Sequence, residues 1–183
     1  MNLPIVILDG PQLGENIGFT ARAMLNCGLN ELRLVSPRDG WPNPAARASA
    51  AGAAKVIQQA KIYGDLYDAI SDCQKIYAAT ARRREQTKRI LSPRSAAVEL
   101  KTLYDNEKTG ILFGPERSGL NNDAVALADA VIEVPLNPEF NSLSLPQAVL
   151  LIAYEWRMAD KREIRDVACP GELASKENLL HFF

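Results

Sequence analysis

The sequence predicts an α/β protein with a mostly parallel β-sheet and helices on both faces of that sheet. Short apolar runs alternate with helical patterns along the chain, which is typical of parallel sheets. The 183 residues are 47% hydrophobic and 23% charged, so the chain can bury one ordinary globular core. Ligands of such sheets bind at the carboxyl ends of strands, so the loops after strands are the places to search.

Five apolar runs are interpreted as strands, and they cover residues 4–8, Leu32–Val35, Lys75–Ala79, 111–113 and 131–134. Helical patterns fill the segments between them, over residues 17–27, 45–60, 65–71, 93–104, 123–128 and 145–161. Gly28 is expected to end the first helix, and Ser92 and Asn122 are expected to cap two others. One apolar stripe marks the last helix, formed by Leu145, Ala148, Val149, Ile152 and Trp156.

Four loops follow predicted strands, at residues 9–16, 80–88, 114–122 and 135–144. In the third, Gly114 and Gly119 have the spacing of a phosphate-binding loop, but Leu120 stands where that motif requires lysine. GxGxxG and GxSxG motifs are missing, and the single histidine, His181, lies near the C-terminus. The loops therefore suit a neutral or zwitterionic nucleoside and a reaction that needs neither metal nor histidine.

The net charge of −1 argues against a nucleic-acid partner, but the distribution of charge does not. Between residues 82 and 94 the only acid is Glu85, and the basic residues are Arg82, Arg83, Arg84, Lys88, Arg89 and Arg94. Such a patch can bind a phosphate backbone, or it can be a solvated loop. Charge alone leaves both interpretations open.

Two polar residues of the first helix are singled out. Asn16 is interpreted as its N-cap, with a second role left open. Arg22 lies among apolar or small residues, so its guanidinium must reach solvent, a carboxylate or a phosphate. A plain surface arginine stays the alternative.

A cytoplasmic protein is expected, since no apolar run approaches the roughly 20 residues that span a bilayer.

The sequence has an odd number of cysteines, Cys27, Cys73 and Cys169, and none of them form a CxxC pair. Neither a disulfide framework nor a zinc site is therefore indicated. A domain boundary is predicted near residues 164–175, where Cys169, Pro170 and Gly171 break the helical pattern, so one domain is predicted over 1–163. Residues 164–183 are expected to begin a C-terminal helical extension that belongs to a longer natural chain.

Three ordered motifs carry a family resemblance: NIGFTAR at 16–22, ILFGPERSGL at 111–120 and VPLNPEFNSLSL at 134–145. Together they resemble the motifs of the SpoU/TrmH family of RNA ribose 2′-O-methyltransferases, within the SPOUT superfamily. The third motif and the following AVLLIAYEWRM look most like the TrmJ branch.

The resemblance implies a homodimer, a deep C-terminal trefoil knot and S-adenosylmethionine as methyl donor, with no metal. Gly114 and Gly119 would let the backbone approach the adenosine, and Leu120 would fit a wall on the adenine side. Carried over by motif, the cofactor-binding residues are Ala79, Thr80, Ala81, Gly114, Gly119, Leu120, Val134, Leu136, Asn141, Ser142 and Leu143.

The implied reaction is methylation of a ribose 2′-hydroxyl in the tRNA anticodon loop, at nucleotide 32, a cytidine or uridine. Arg22 from the partner subunit would organise the target phosphate and promote loss of the hydroxyl proton. Asn16 would orient Arg22 or the ribose, and Ser142 would position ribose or cofactor. Glu116 would brace the loops rather than act as the base.

The resemblance also bears on RNA contacts and on one departure from the family pattern. RNA phosphates would be bound by Arg82, Arg83, Arg84, Lys88 and Arg89. Ser144 stands where many relatives have asparagine, although serine can still cap the helix that follows. Two alternatives stay open: a catalytically inactive RNA-binding protein of the same fold, and a flavodoxin-like nucleotide binder that leaves the motifs unexplained.

Overall fold

The computed structural model describes residues 3–80, 88–103 and 107–159. Within them seven strands form one sheet in the order β3-β2-β1-β6-β4-β7-β5, and all neighbouring strands are parallel. The strands are β1 (Ile5–Asp9), β2 (Leu32–Val35), β3 (Lys61–Tyr63), β4 (Lys75–Ala79), β5 (Arg89–Leu91), β6 (Thr109–Phe113) and β7 (Ala130–Ile132). The predicted class, an α/β fold with a mostly parallel sheet, is confirmed.

Helices cover both faces of the sheet, which the alternation of buried strand residues requires. The described helices are α1 (Gly14–Asn26), α2 (Pro44–Ser49), α3 (Ala54–Gln58), α4 (Leu66–Ile70), α5 (Pro93–Thr102), α6 (Asn122–Ala126) and α7 (Leu145–Met158). In β1, Val6 and Leu8 face a core shared with α1, α2, α3, α5 and α7. Ile5 and Ile7 face the opposite core, which they share with α4 and α6.

The central strands follow the sequence prediction, and the two edge strands were missed. Predicted and observed bounds agree for Leu32–Val35 and Lys75–Ala79. The edge strands β3 and β5 are three residues long and largely exposed, so they lack the continuous apolar run that marks a buried strand.

The single helix predicted over residues 45–60 is wrong, since the structure has two short helices there. Gly52 lies between α2 and α3 with a φ of +79°, a left-handed conformation that interrupts a helix. At α6 the capping residue is Asn121 rather than Asn122, and its side chain accepts from the N–H of Ala124 at 2.7 Å. Ser92 caps α5 as predicted.

Close packing between α1 and α2 requires a glycine within the first motif. A Cβ added to Gly18 would meet the Ser49 hydroxyl, the Ala46 carbonyl oxygen and the backbone nitrogen of Ala50. Two of these are backbone atoms, which cannot swing away as a side chain can. The motif NIGFTAR therefore has a packing role in addition to any role of its polar side chains.

Several predictions fall outside the described residues. The segment 164–183, the residues Arg82, Arg83 and Arg84, and His181 are among them. The trefoil knot stays a prediction. In the described part of the chain, no helix combines the length and the apolar character needed to cross a membrane.

A buried arginine joins β2 to the segments around α4 and β6. Arg33 is 1% exposed, and its guanidinium donates to the carboxylates of Glu31 and Asp72 and to the backbone carbonyl of Ala69. Lys108 donates to the same Asp72 carboxylate at 2.9 Å. The hydrogen bond from Arg33 is the main reason why the pKa of Asp72 lies well below its ordinary value.

The substitution Asp72→Asn is expected to lower the free energy of unfolding at pH 7 by about 1 kcal/mol, because the carboxylate is 43% exposed and solvent screens its pairing. Since pairing lowers the folded-state pKa, this stabilisation is complete above the ordinary value of 3.8 and is lost as the pH falls below it. Wild-type stability should therefore fall more steeply than that of the variant between about pH 4 and about pH 2. Urea unfolding at each pH measures both slopes.

Asp39→Asn is the matched control for Asp72→Asn. Asp39 pairs with its sequence neighbour Arg38 on the surface, so the pair can also form in the unfolded chain. The free energy of unfolding of Asp39→Asn should therefore depend on pH as that of the wild type does. Equal slopes for the wild type and Asp72→Asn would contradict the stabilising role of the Arg33 network.

Candidate functional site

A pocket of about 330 Å³ opens at the carboxyl ends of β4, β6 and β7, three neighbouring strands of the sheet. Three loops that are distant along the chain meet there, together with the first turns of α7. The lining residues are Ala79, Thr80, Phe113, Gly114, Pro115, Glu116, Arg117, Gly119, Ile132, Val134, Leu136, Asn141, Ser142, Leu143, Leu145, Ala148 and Ile152.

Most residues predicted to bind the cofactor line this pocket. They are Ala79, Thr80, Gly114, Gly119, Val134, Leu136, Asn141, Ser142 and Leu143. Ala81 lies outside the described residues. Leu120 requires a correction, because its side chain is 0% exposed and packs in the core beneath α6. Its side chain therefore does not form the expected wall on the adenine side.

Two glycines fold the loop after β6 back on itself. A Cβ added to Gly114 would meet the backbone of Gly119 and Leu120, so only glycine fits there. Gly119 has a φ of +65°, and its N–H donates to the Pro115 carbonyl at 2.8 Å. The P-loop-like spacing thus has an internal cause: the glycines close the loop, and that closure brings backbone to the pocket.

Glu116 ties the loop after β6 to the start of α1. One carboxylate oxygen accepts from the backbone N–H of Gln12 at 2.8 Å. The other accepts from the N–H of Leu13 at 3.3 Å and from the side-chain amide of Asn16 at 2.9 Å. A carboxylate at the amino end of a 13-residue helix also interacts favourably with the helix dipole.

The interpretation of Asn16 as an N-cap is wrong. The residue at the N-cap of α1 is Leu13, which has no side-chain oxygen to offer, and Asn16 lies inside the first turn. Its amide group donates to Glu116 instead of accepting from the helix. The carboxylate of Glu116, from a distant part of the chain, accepts from the N–H of Leu13, which is one of the backbone groups that α1 itself leaves unpaired.

Arg22 is exposed on α1 and lines neither this pocket nor the cavity next to it. Its guanidinium has no hydrogen bond or ion pair in the described ranges. Phe19 and Leu25, three residues away on either side, are large apolar side chains that are also exposed. Arg22 therefore lies in the middle of an apolar stripe on the outer face of its helix.

A second cavity adjoins the pocket and brings together the remaining candidate catalytic residues. Glu116, Leu136, Ser142 and Leu143 line both spaces. The others around the second cavity are Asn16, Asn137, Phe140, Ser144 and Gln147. Ser144 is the N-cap residue of α7, and its backbone N–H donates to the Gln147 side chain at 2.8 Å.

Two predicted RNA-binding residues have partners within the chain. The ammonium group of Lys88 donates to the carbonyls of Ala126 and Ala128 at the end of α6. The guanidinium of Arg89 forms two hydrogen bonds with Glu99. Both are therefore engaged before any RNA is present, and their contact with RNA stays a prediction.

Two exposed residues at these cavities were missed by the sequence reasoning. Arg117 lines the pocket, and in the part of the chain that the structure describes it has no hydrogen bond or ion pair. Phe140 lines the second cavity and is strongly exposed. Their position could have indicated a role, because both lie in loops that follow strands. Neither residue stood out from the rest of its family motif.

The described residues also bear on metals. No group of three or more histidine, cysteine, aspartate or glutamate side chains that could hold a metal ion occurs among them. The polar groups that do face the two spaces are amides, hydroxyls, loop backbone and Glu116.

Comparisons with known proteins agree with this architecture. The profile of the SpoU rRNA Methylase family matches residues 4–154. The crystal structure of TrmJ from Z. mobilis ZM4 is similar, with 54% sequence identity, a TM-score of 0.82, and coverage of 85% of this chain and 69% of that chain.

Two curated relatives extend the comparison. The tRNA (cytidine/uridine/adenosine-2'-O-)-methyltransferase TrmJ of Pseudomonas aeruginosa is 38% identical over 155 residues, 84% of this chain and 60% of that protein. An uncharacterized tRNA/rRNA methyltransferase of Haemophilus influenzae is 35% identical over 158 residues, 86% and 64% respectively. The chain thus spans about three fifths of the length of these relatives. It belongs to the SpoU methylase family, and the predicted resemblance to the TrmJ branch is confirmed.

Proposed function

We propose that this chain transfers a methyl group from S-adenosylmethionine to a ribose 2′-hydroxyl of tRNA. The observation that carries the proposal is the meeting of the loops after β4, β6 and β7 around one pocket, since the last two of these loops bear family motifs. The names of the TrmJ relatives support the same reaction.

The pocket fits S-adenosylmethionine in size and in lining. Its volume of about 330 Å³ lies in the range of roughly 300 to 1,000 Å³ that is usual for small-molecule sites. Val134, Leu136 and Ile152 offer apolar surface for an adenine ring, and Asn141 and Ser142 offer polar groups. The closed loop between Gly114 and Gly119 adds backbone donors and acceptors.

The bound cofactor would supply an electrophilic methyl group, and the chain must place the acceptor hydroxyl and take up its proton. Asn16 and Ser142 line the cavity beside the pocket, so we assign them the orientation of the ribose. Glu116 already accepts three hydrogen bonds, and its role is to hold the loops that carry these groups.

Arg22 and the homodimer are parts of the same proposal. Phe19 and Leu25 on α1 and Leu150, Leu151 and Tyr154 on α7 are exposed apolar side chains on two helices that pack together. A second subunit that covers this α1–α7 face would bury them and would take Arg22 into the interface. We assign Arg22 to the partner's acceptor site, where it would bind the target phosphate and favour proton loss.

The substrate part of the proposal is the tRNA anticodon loop, with nucleotide 32, cytidine or uridine, as the acceptor. A tRNA substrate also implies that the enzyme works in the cytoplasm. Arg82, Arg83 and Arg84, with Lys88 and Arg89, are assigned to phosphate contacts.

Calorimetric titration with S-adenosylmethionine in EDTA, followed by transfer of labelled methyl groups to tRNA, tests the function. We expect cofactor uptake without metal and labelling of a ribose 2′-oxygen, which mapping of ribose methylation would locate. Absence of cofactor uptake would favour an inactive RNA-binding protein instead.

The substitution Gly114→Ala is expected to raise the dissociation constant for S-adenosylmethionine by about tenfold or more, because its Cβ forces apart the loop that lines the pocket. Gly64→Ala is the matched control, since a Cβ at Gly64 meets nothing within 4 Å. Titration calorimetry measures both constants. Unchanged affinity in Gly114→Ala would remove this loop from the cofactor site.

The substitution Arg22→Ala is expected to reduce methyl transfer by about 100-fold or more, because the reaction loses the group that favours proton loss. Cofactor affinity and the melting temperature should stay near wild type, since Arg22 is exposed and outside the pocket. Arg47→Ala, another exposed arginine without a partner in the described chain, is the control. Full activity of Arg22→Ala would refute the assignment.

The substitution Leu150→Glu is expected to shift the protein from dimer to monomer, because it places a charge in the apolar α1–α7 face. Light scattering after gel filtration measures the mass. Val98→Glu, on the exposed side of α5, is the control and should leave the dimer intact. A wild-type protein that is monomeric at working concentration would overturn the dimer proposal.

A further inference from the structure

We propose that Phe140 is a stacking surface for a base of the substrate RNA, at the rim of the cavity next to the cofactor pocket. The proposal rests on the proposed function and adds a binding role for this side chain. It is argued from exposure, local order and the chemistry of the cavity.

Phe140 is 75% exposed, more than any other large apolar side chain in the described ranges. Its position is not that of a scattered surface residue, because it lines a cavity whose other apolar walls are Leu136 and Leu143. An aromatic ring at the edge of a concave site, with one face open to solvent, is available for a planar ligand.

The ring is carried by an ordered turn. The N–H of Phe140 donates to the Asn137 carbonyl at 3.0 Å, and the N–H of Glu139 donates to the Asn137 side chain at 3.1 Å. Pro138 further restricts the backbone between them. Because the turn is fixed before a ligand arrives, binding to the ring costs little additional ordering.

The chemistry of the cavity favours a nucleobase over a charged ligand. Beside the apolar walls, Asn16, Asn137 and Gln147 contribute side-chain amides. Each makes one hydrogen bond within the chain, through the amide nitrogen of Asn16 and the amide oxygens of the other two, and its other amide atom can meet the edge of a base. Glu116 is the carboxylate there, and its oxygens already accept from Gln12, Leu13 and Asn16. A neutral ring that stacks on Phe140 fits this surface better than a phosphate does.

The location couples the base to the reaction. Ser142 and Leu143 belong to both spaces, so a nucleotide whose base lies in the second cavity would have room to place its ribose at the edge of the pocket. Single-stranded loops present unstacked bases in this way. Every base has a π-face, so stacking on Phe140 would position the acceptor nucleotide without selecting one base.

The test compares Phe140→Leu with Phe140→Tyr. We expect Phe140→Leu to raise the KM for tRNA in methyl transfer by roughly 5- to 100-fold, and Phe140→Tyr to stay within about threefold of wild type. Affinity for S-adenosylmethionine should not change in either variant. In parallel, an RNA hairpin with 2-aminopurine in its loop should lose fluorescence on binding wild type and Phe140→Tyr, but not on binding Phe140→Leu.

Tyr67→Leu is the matched control, since Tyr67 on α4 is also an exposed aromatic but lines neither cavity. It should behave as wild type in both assays. If the wild type transfers methyl groups and Phe140→Leu has an unchanged KM for tRNA, the stacking role is overturned and the proposed function is not. A change of oligomeric mass in Phe140→Leu overturns it in favour of a subunit contact. Failure of the wild type both to transfer methyl groups and to quench the hairpin overturns both proposals.

Discussion

The carboxylate of Glu116 is the constraint on which the arrangement of the site depends. It comes from the loop after β6, yet it accepts hydrogen bonds from the start of α1, across 100 to 104 positions of sequence. The loop lines the pocket, and α1 carries Asn16 and Arg22. One side chain therefore fixes the wall of the pocket relative to the helix whose outer face offers the arginine.

That constraint works because the loop after β6 is itself rigid. Gly114 lies so close to the backbone of Gly119 and Leu120 that no side chain could be added, and the Pro115 carbonyl accepts from the N–H of Gly119. A loop closed on its own backbone holds Glu116 at a defined place. It also explains why the motif has no lysine: the glycines serve the fold of the loop, and a ligand without a triphosphate needs no concentrated positive charge there.

The sequence predicted the parts of the molecule that are set by burial and by sheet topology. Strands β2 and β4 were predicted with their observed bounds because they are short, mostly apolar runs between helical patterns, and the loops after parallel strands had to meet at one edge. Edge strands β3 and β5 gave no such run. Asn16 and Leu120 were misjudged because their roles depend on Glu116 and on α6, contacts across the fold that no local pattern contains.

The basic patch also could not be interpreted from the sequence alone, because the partners of its described side chains lie in other parts of the chain. The basic residues Lys88, Arg89 and Arg94, which suggest a phosphate-binding patch in the sequence, are engaged by helix-end carbonyls, Glu99 and Glu155 in the structure. Arg117 lines the pocket and has no hydrogen bond or ion pair in the described part of the chain, so its guanidinium is available to bind a phosphate near the site. Arg82, Arg83 and Arg84, which lie outside the described residues, remain the other proposed phosphate contacts, and the affinity that such contacts supply falls with salt. A stacked base and an arginine from a second subunit would add contacts that do not depend on a basic surface patch.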